Sequence, residues 1–336
     1  MVLEKCRLNF REIKEGKKIA VANALNLLDD HRPENFEAVK ELIQCLSRNP
    51  RRKRHVIGIT GPPGVGKSTI ISRIIHLYRS QKQKVGIISV DPSNKTTGGA
   101  LLGDRARISC DPTDEGIFIR SMAAGAHLGG LAWKTRNCLT VFESVYDVII
   151  LETVGVGQSE TEIDHVVDTV IFVIQPGSGD VLQFIKAGIM DIPHIFVVNK
   201  ADQRTLAAKT QSDLKTVSGF HRHREGGWKL ELIMASSLEG WGHEELVAVI
   251  ERHRRFLLQN SLLEKRRQNR IQWIYDIFEE RFGSFGIEVL GGKKRMFRLI
   301  EHFDLTNPFD SVRRLTEKLW KAAGISNSLL SKSNEL

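Results

Sequence analysis

The stretch Gly61-Pro62-Pro63-Gly64-Val65-Gly66-Lys67-Ser68-Thr69 restricts this chain more than any other. It reads G-x-x-x-x-G-K-S and lies between a β-like run, His55–Thr60, and an amphipathic run, Ile70–Leu77. A phosphate-binding P-loop needs that strand-loop-helix setting. Glycines allow the backbone to turn so that successive N–H groups point inward at phosphate oxygens. The following helix adds the positive end of its dipole. In this arrangement Lys67 reaches the β- and γ-phosphates and the Ser68 hydroxyl holds Mg²⁺.

The surrounding pattern is that of an α/β protein. Short runs rich in Val and Ile recur at Val56–Thr60, Val85–Val90, Ile117–Arg120, Val148–Leu151, Thr169–Ile174, His194–Val198 and Leu230–Met234, with helical stretches between them. Most lack a polar face, as expected of central strands covered on both sides. The alternation predicts a doubly wound, mostly parallel sheet with ligands at the carboxyl ends of its strands. Residues 1–50 read as an N-terminal helical extension, 51–250 as the P-loop domain and 251–336 as a C-terminal helical arm and tail. Glu251–Phe282 contains no Gly or Pro and predicts one long helix or two end to end. Gly283, Gly286, Gly291 and Gly292 then mark a loop.

Composition narrows the function. The 336 residues are 41% hydrophobic, enough for a large buried core, and no apolar run approaches the length of a membrane span. The N-terminus lacks the apolar core of a signal peptide and carries acidic residues. Four cysteines, Cys6, Cys45, Cys110 and Cys138, show neither metal-ligand spacing nor a disulfide framework, which points to a reducing cytoplasm. The net charge of +9 comes from dispersed basic runs such as Arg51–Arg54 and Lys265–Arg267. They lack interleaved aromatic residues, so solvated faces are expected rather than a nucleic-acid groove.

Asn199-Lys200-Ala201-Asp202, N-K-x-D at a strand end, names the nucleotide. A carboxylate at Asp202 accepts from the ring N–H and exocyclic amine of guanine, a donor pair that adenine lacks. Asn199 would tie this loop to the P-loop and the base edge, and the Lys200 stem would lie along the base plane. Ser236-Ser237-Leu238, after the next strand, resembles the loop that closes over guanine through a backbone N–H. The strand Asp147–Leu151 ends in Glu152-Thr153-Val154-Gly155, an E-x-x-G in which Glu152 can hold Mg²⁺ through water or orient the attacking water, and the Gly155 N–H can sense the γ-phosphate. Asp91, at a strand end, and Asp104, in a Gly-flanked loop, are two further acids for Mg²⁺. A helix cap for Asp91 and an ion pair with Arg105 or Arg107 for Asp104 are the alternatives. Val156 follows Gly155 where a water-orienting Gln is found in Ras-type sites, so intrinsic hydrolysis is expected to be slow.

In this order G-P-P-G-V-G-K-S-T, V-D-P-S, G-G-A-L-L-G-D-R, E-T-V-G-V-G-Q-S-E, P-G-S-G-D and N-K-A-D resemble the MeaB/ArgK family of P-loop GTPases. The resemblance implies a Mg²⁺-dependent GTPase binding GTP and GDP. It also implies a chaperone for an adenosylcobalamin-dependent mutase, typically methylmalonyl-CoA mutase, and a homodimer joined through the C-terminal arm. Lys67 and Ser68 match the P-loop residues, Asp91 and Asp104 the acids of the Mg²⁺ and switch region, and Glu152 the E-x-x-G carboxylate. Gly177 to Lys186 matches a further switch. The chain departs from the usual pattern at Asn94, through Ser121–Gly130 and at Trp133, which leaves open a mutase other than the methylmalonyl-CoA enzyme. Other classes are a nucleotide-driven regulator or kinase linked to basic amino-acid transport, and a metal-insertion GTPase. The latter often carries His-rich or Cys-containing delivery motifs, and the sequence has neither.

Overall fold

A computed structural model of the protein describes residues 9–30, 32–47, 54–91, 108–123, 133–153, 163–177, 192–217, 227–260 and 262–324. The described chain forms two compact units, one of Arg51–Thr135 and Val145–Leu262, the other of Met1–Pro50, Arg136–Ser144 and Leu263–Leu336.

The first unit is built on a sheet whose strands are β1 (His55–Thr60), β2 (Val85–Asp91), β3 (Ile117–Ala123), β4 (Val148–Glu152), β5 (Thr169–Ile174), β6 (Ile195–Val198) and β7 (Glu231–Met234). Their order is β3-β2-β4-β1-β5-β6-β7 and every neighbouring pair is parallel. Every residue of β1, β4, β5 and β6 is buried, which explains why these runs carry no polar face. The edge strand β7 is only partly buried. One face of the sheet packs Ile57, Ile59, Ile150, Ile171 and Val197 against Ile70, Ile71 and Ile74 of the P-loop helix Lys67–Ser80, and against Leu246, Val249 and Ile250 of the helix His243–Asn260. On another patch Phe172 and Phe196 meet edge to face at 5.7 Å, beside Ala207 and Leu214 of the helix Arg204–Val217. The β1 strand lies between β4 and β5, so its carboxyl end is where the strand order turns outward in both directions and where a ligand crevice opens.

The second unit is helical among the described residues. It includes Phe10–Glu15, Lys18–Leu28, Phe36–Ser47, Lys293–Glu301 and Pro308–Ala322. The helical run Leu262–Val289 is broken at Gly283, whose φ of 62° lies outside the helical region. Contrary to the loop expected from Gly283 and Gly286, helix resumes after the break and runs to Val289. Packing is the reason: Phe278, Ile287 and Leu290 share one core with Met296, Ile300, Leu315 and Leu319, and Phe282 packs against it. Among the described residues no helix is long and apolar enough to cross a membrane.

At the amino edge of the sheet Asp168 is 3% exposed, and it exchanges backbone and side-chain bonds with Val56 at the centre of the fold. Its Oδ2 accepts from the Val56 N–H at 2.9 Å and its own N–H donates to the Val56 carbonyl at 2.9 Å. Asp168→Ala leaves the Val56 N–H buried without that acceptor. The expected cost is about 1–3 kcal/mol, read as a lower urea midpoint at unchanged slope.

Candidate functional site

The loop after β1 is held by close backbone packing at both ends. Gly61 has φ +139°, and a Cβ there would stand 2.1 Å from the Val173 carbonyl oxygen of β5. Gly66 has φ +94°, and a Cβ would stand 2.3 Å from Asn199 Nδ2. Only glycine meets both the conformation and the contact. Between them Val65 is buried in the core, while Pro63 and Gly64 face outward.

The helix begins at Lys67 with Gly66 as its N-cap and no side chain capping it, so its first N–H groups have no side-chain acceptor there. Lys67 is buried, and its Nζ donates to the carbonyls of Gly61 at 2.7 Å and Pro62 at 3.0 Å. The ammonium therefore sits inside the curve of the loop. Thr69 is exposed on the first turn. Ser68 Oγ donates to Glu152 Oε1 at 3.0 Å, and Ser89 Oγ from β2 donates to Glu152 Oε2 at 3.3 Å. Glu152 ends β4 and is 7% exposed, a buried carboxylate beside the helix N-terminus. Thr153 Oγ1 bonds Thr60 Oγ1 at 2.9 Å and ties the ends of β4 and β1. Hydroxyl and carboxylate oxygens at this spacing are the hard donors that Mg²⁺ prefers, and the residues fit that ion.

A second group of residues leaves the end of β6. Asn199 is buried, and its Nδ2 donates to the Val65 carbonyl at 2.8 Å. Its Oδ1 accepts from Ser237 Oγ at 3.1 Å and from the Ser237 N–H at 3.3 Å. Lys200, at φ +57°, donates from Nζ to the Gly64 carbonyl at 2.8 Å and to Gln175 Oε1 at 2.7 Å. Asp202 Oδ1 accepts from Ser236 Oγ at 2.7 Å. The loop from Ser236 to Trp241 is closed by Ser236 N–H to Trp241 O at 3.1 Å and Trp241 N–H to Ser236 O at 3.2 Å, and it leaves Leu238 exposed.

The structure thus brings together Gly61, Gly64, Val65, Gly66, Lys67, Ser68 and Glu152 on one side and Asn199, Lys200, Asp202, Ser236 and Ser237 on the other. Asp91 is the last residue of β2, at the same edge, and its side chain is outside the described set. Asp104, Gly155, Val156, Gln158, Gln183 and Lys186 lie outside the described residues. Sequence reasoning passed over Ser89, Gln175 and His243. Ser89 sits two residues before the strand-end acid Asp91, and Gln175 directly follows the apolar run of β5, which were the only available signals. His243 opens the helix His243–Asn260 with Nε2 at 3.3 Å from Ser237 Oγ. Burial, and then the charge of Arg73, hold its pKa below the usual histidine value.

The family model described as "Methylmalonyl Co-A mutase-associated GTPase MeaB" matches residues 21–285. The chain is 41% identical over 266 residues to a protein of Pyrococcus horikoshii provisionally described as a GTPase, covering 78% of this chain and 82% of that one. It is 33% identical over 279 residues to GTPase ArgK of Escherichia coli, covering 81% and 83%. A mouse protein described as "Methylmalonic aciduria type A homolog, mitochondrial" is 29% identical over 284 residues, covering 81% of this chain and 68% of that one. Among solved structures, one titled as LAO/AO transport system kinase superposes with a TM-score of 0.67 at 26% identity, covering 92% of this chain and 95% of that one.

Asn199→Ala removes the bond to the Val65 carbonyl and the acceptor shared by the two Ser237 donors. The expected loss is about 1–3 kcal/mol of unfolding free energy, measured by urea titration, with the far-UV circular dichroism spectrum unchanged.

Proposed function

The chain belongs to the MeaB/ArgK family of P-loop GTPases, and from that premise we propose that it is a Mg²⁺-dependent GTP hydrolase serving as chaperone for an adenosylcobalamin-dependent mutase. Methylmalonyl-CoA mutase is the first candidate, because the description of the matching family model names it. The observation that carries the nucleotide half of the proposal is the pair of bonds from Asn199 and Lys200 to the carbonyls of Val65 and Gly64. They join a phosphate loop to a carboxylate suited to guanine, so one ligand carrying both a triphosphate and guanine spans the two.

Each side chain then has a task. The phosphate oxygens lie against the loop N–H groups and the start of the helix Lys67–Ser80. Lys67 exchanges neutral carbonyl acceptors for charged phosphate oxygens, which are the stronger partners. Asp202 accepts from guanine N1–H and the 2-amino group, while Ser236 keeps the carboxylate oriented. The loop Ser236-Ser237-Leu238 closes over the guanine through a backbone N–H. Ser68 and Glu152, with Asp91 and Asp104, would hold Mg²⁺. When bound, that ion neutralises charge developing on the β- and γ-phosphate oxygens. Gly155 senses the γ-phosphate. Val156 offers no polar atom to orient water, so hydrolysis is slow until a partner completes the site.

We assign coupling to the partner to the switch residues around Asp104, Gln158 and Gly177–Lys186. We assign a homodimer to the C-terminal helices, where Leu263 and Phe285 leave 76% and 69% of their surface exposed. Cysteines scattered without a disulfide framework support a cytoplasmic location.

A reading as a transport-linked regulator shares the same nucleotide site and differs only in partner, so turnover assays separate the two. GTP turnover of the full chain is measured alone and with adenosylcobalamin-dependent mutases. The expected outcome is slow turnover alone and a rise of about tenfold or more with the cognate mutase, as when a partner completes a GTPase site. Equal turnover with and without every mutase tested counts against the chaperone role.

A further inference from the structure

We infer that His243 is a positioning residue of the nucleotide site, holding Ser237 and, through it, the Asn199 carboxamide that joins the base loop to the P-loop. The inference rests on the GTPase reading above and adds to it a residue outside the motifs read in the sequence.

The geometry starts at Gly242. Its φ is +85°, and a Cβ there would stand 2.3 Å from the Met234 carbonyl oxygen and 2.8 Å from Ala235 Cα. The backbone before the helix His243–Asn260 is therefore pressed against the end of β7, which fixes the first helical residue in space. His243 is 3% exposed, and its Nε2 lies 3.3 Å from Ser237 Oγ.

Proton accounting gives the direction of each bond. Asn199 Nδ2 donates to the Val65 carbonyl, and Asn199 Oδ1 receives the Ser237 N–H, so the orientation of the carboxamide is fixed by two backbone groups. Ser237 Oγ also meets Asn199 Oδ1, at 3.1 Å, and an amide oxygen only accepts. The single hydroxyl proton is thus committed to Asn199. Ser237 Oγ must then accept from His243, which assigns the Nε2–H tautomer. Burial first, and then the Arg73 charge, lower the pKa of the ring against an opposing backbone bond to Gly240, which favours a neutral ring in this role.

The result is a directed chain of bonds, His243 to Ser237 to Asn199 to Val65, that starts at a fixed helix terminus and ends in the phosphate loop. An aliphatic side chain at position 243 would fill similar space and leave Ser237 Oγ without a donor. The hydroxyl would then be free to turn toward other acceptors, and the base loop would lose one of the bonds that preset it.

The test uses calorimetric titration of GDP, with Mg²⁺, into the full chain and the variants His243→Leu, His243→Gln, Ser237→Ala and the double variant His243→Leu/Ser237→Ala. Loss of one such bond predicts a weakening of about three- to tenfold for His243→Leu. His243→Gln supplies an N–H donor and is expected to recover most of that loss, which a packing role alone would not predict. Because His243 acts through Ser237, the double variant is expected to bind no more weakly than Ser237→Ala alone. Wild-type affinity in His243→Leu, or full additivity in the double variant, overturns the inference. If His243→Leu does not fold, a His243→Gln variant weakened as much as Ser237→Ala overturns it instead. A wild-type chain that binds no GDP overturns the GTPase reading, and this inference with it.

Discussion

The bond from Asn199 Nδ2 to the Val65 carbonyl spans the distance between two loops that belong to different strands, β6 and β1, with β5 lying between them. Lys200 makes a parallel contact to Gly64. Loops at strand ends are otherwise costly to order, at about 1–2 kcal/mol per residue of backbone entropy. Tying the phosphate and base loops together spends that entropy in folding rather than in binding. A buried carboxamide is suited to the task because it donates to one loop and accepts from another with its two ends, and no partner has to change protonation to do so.

Everything else at the carboxyl edge supports this frame. Gly61 and Gly66 allow the loop to pass within contact of β5 and Asn199, where any side chain would collide. Glu152 is reached from two directions, by Ser68 of the P-loop helix and Ser89 of β2, so the acid is set before an ion arrives. The Thr60–Thr153 bond ties the two strands that carry the phosphate loop and that acid. The fully buried strands behind them make the edge stiff, because the core beneath it is packed on both faces of the sheet.

Much of this was legible in the residues. Strand runs such as Val148–Leu151 and Thr169–Ile174 could be read because buried parallel strands need apolar side chains on both faces. The phosphate loop was legible because its glycines answer a backbone requirement, and N-K-x-D because base recognition needs a carboxylate at a fixed offset from a strand. The contributions of Ser89, Gln175 and His243 were not. Each reaches the site through a hydrogen bond to a residue distant in sequence or across a turn, and a lone polar side chain in a helix or after a strand carries no pattern of its own. The helix beyond Gly283 escapes the sequence for a related reason: local glycine content argues for a loop, and the packing of Ile287 and Leu290 in the helical core overrides it.

The central claim is that one frame recognises phosphate and guanine together, so affinity must depend on the base as well as the phosphates. Calorimetric titration of GDP and of ADP into the full chain, at equal Mg²⁺, measures this directly. A carboxylate at Asp202 that pairs with the guanine donors predicts GDP bound at least about 100-fold more tightly than ADP. Equal affinity for the two nucleotides would contradict it.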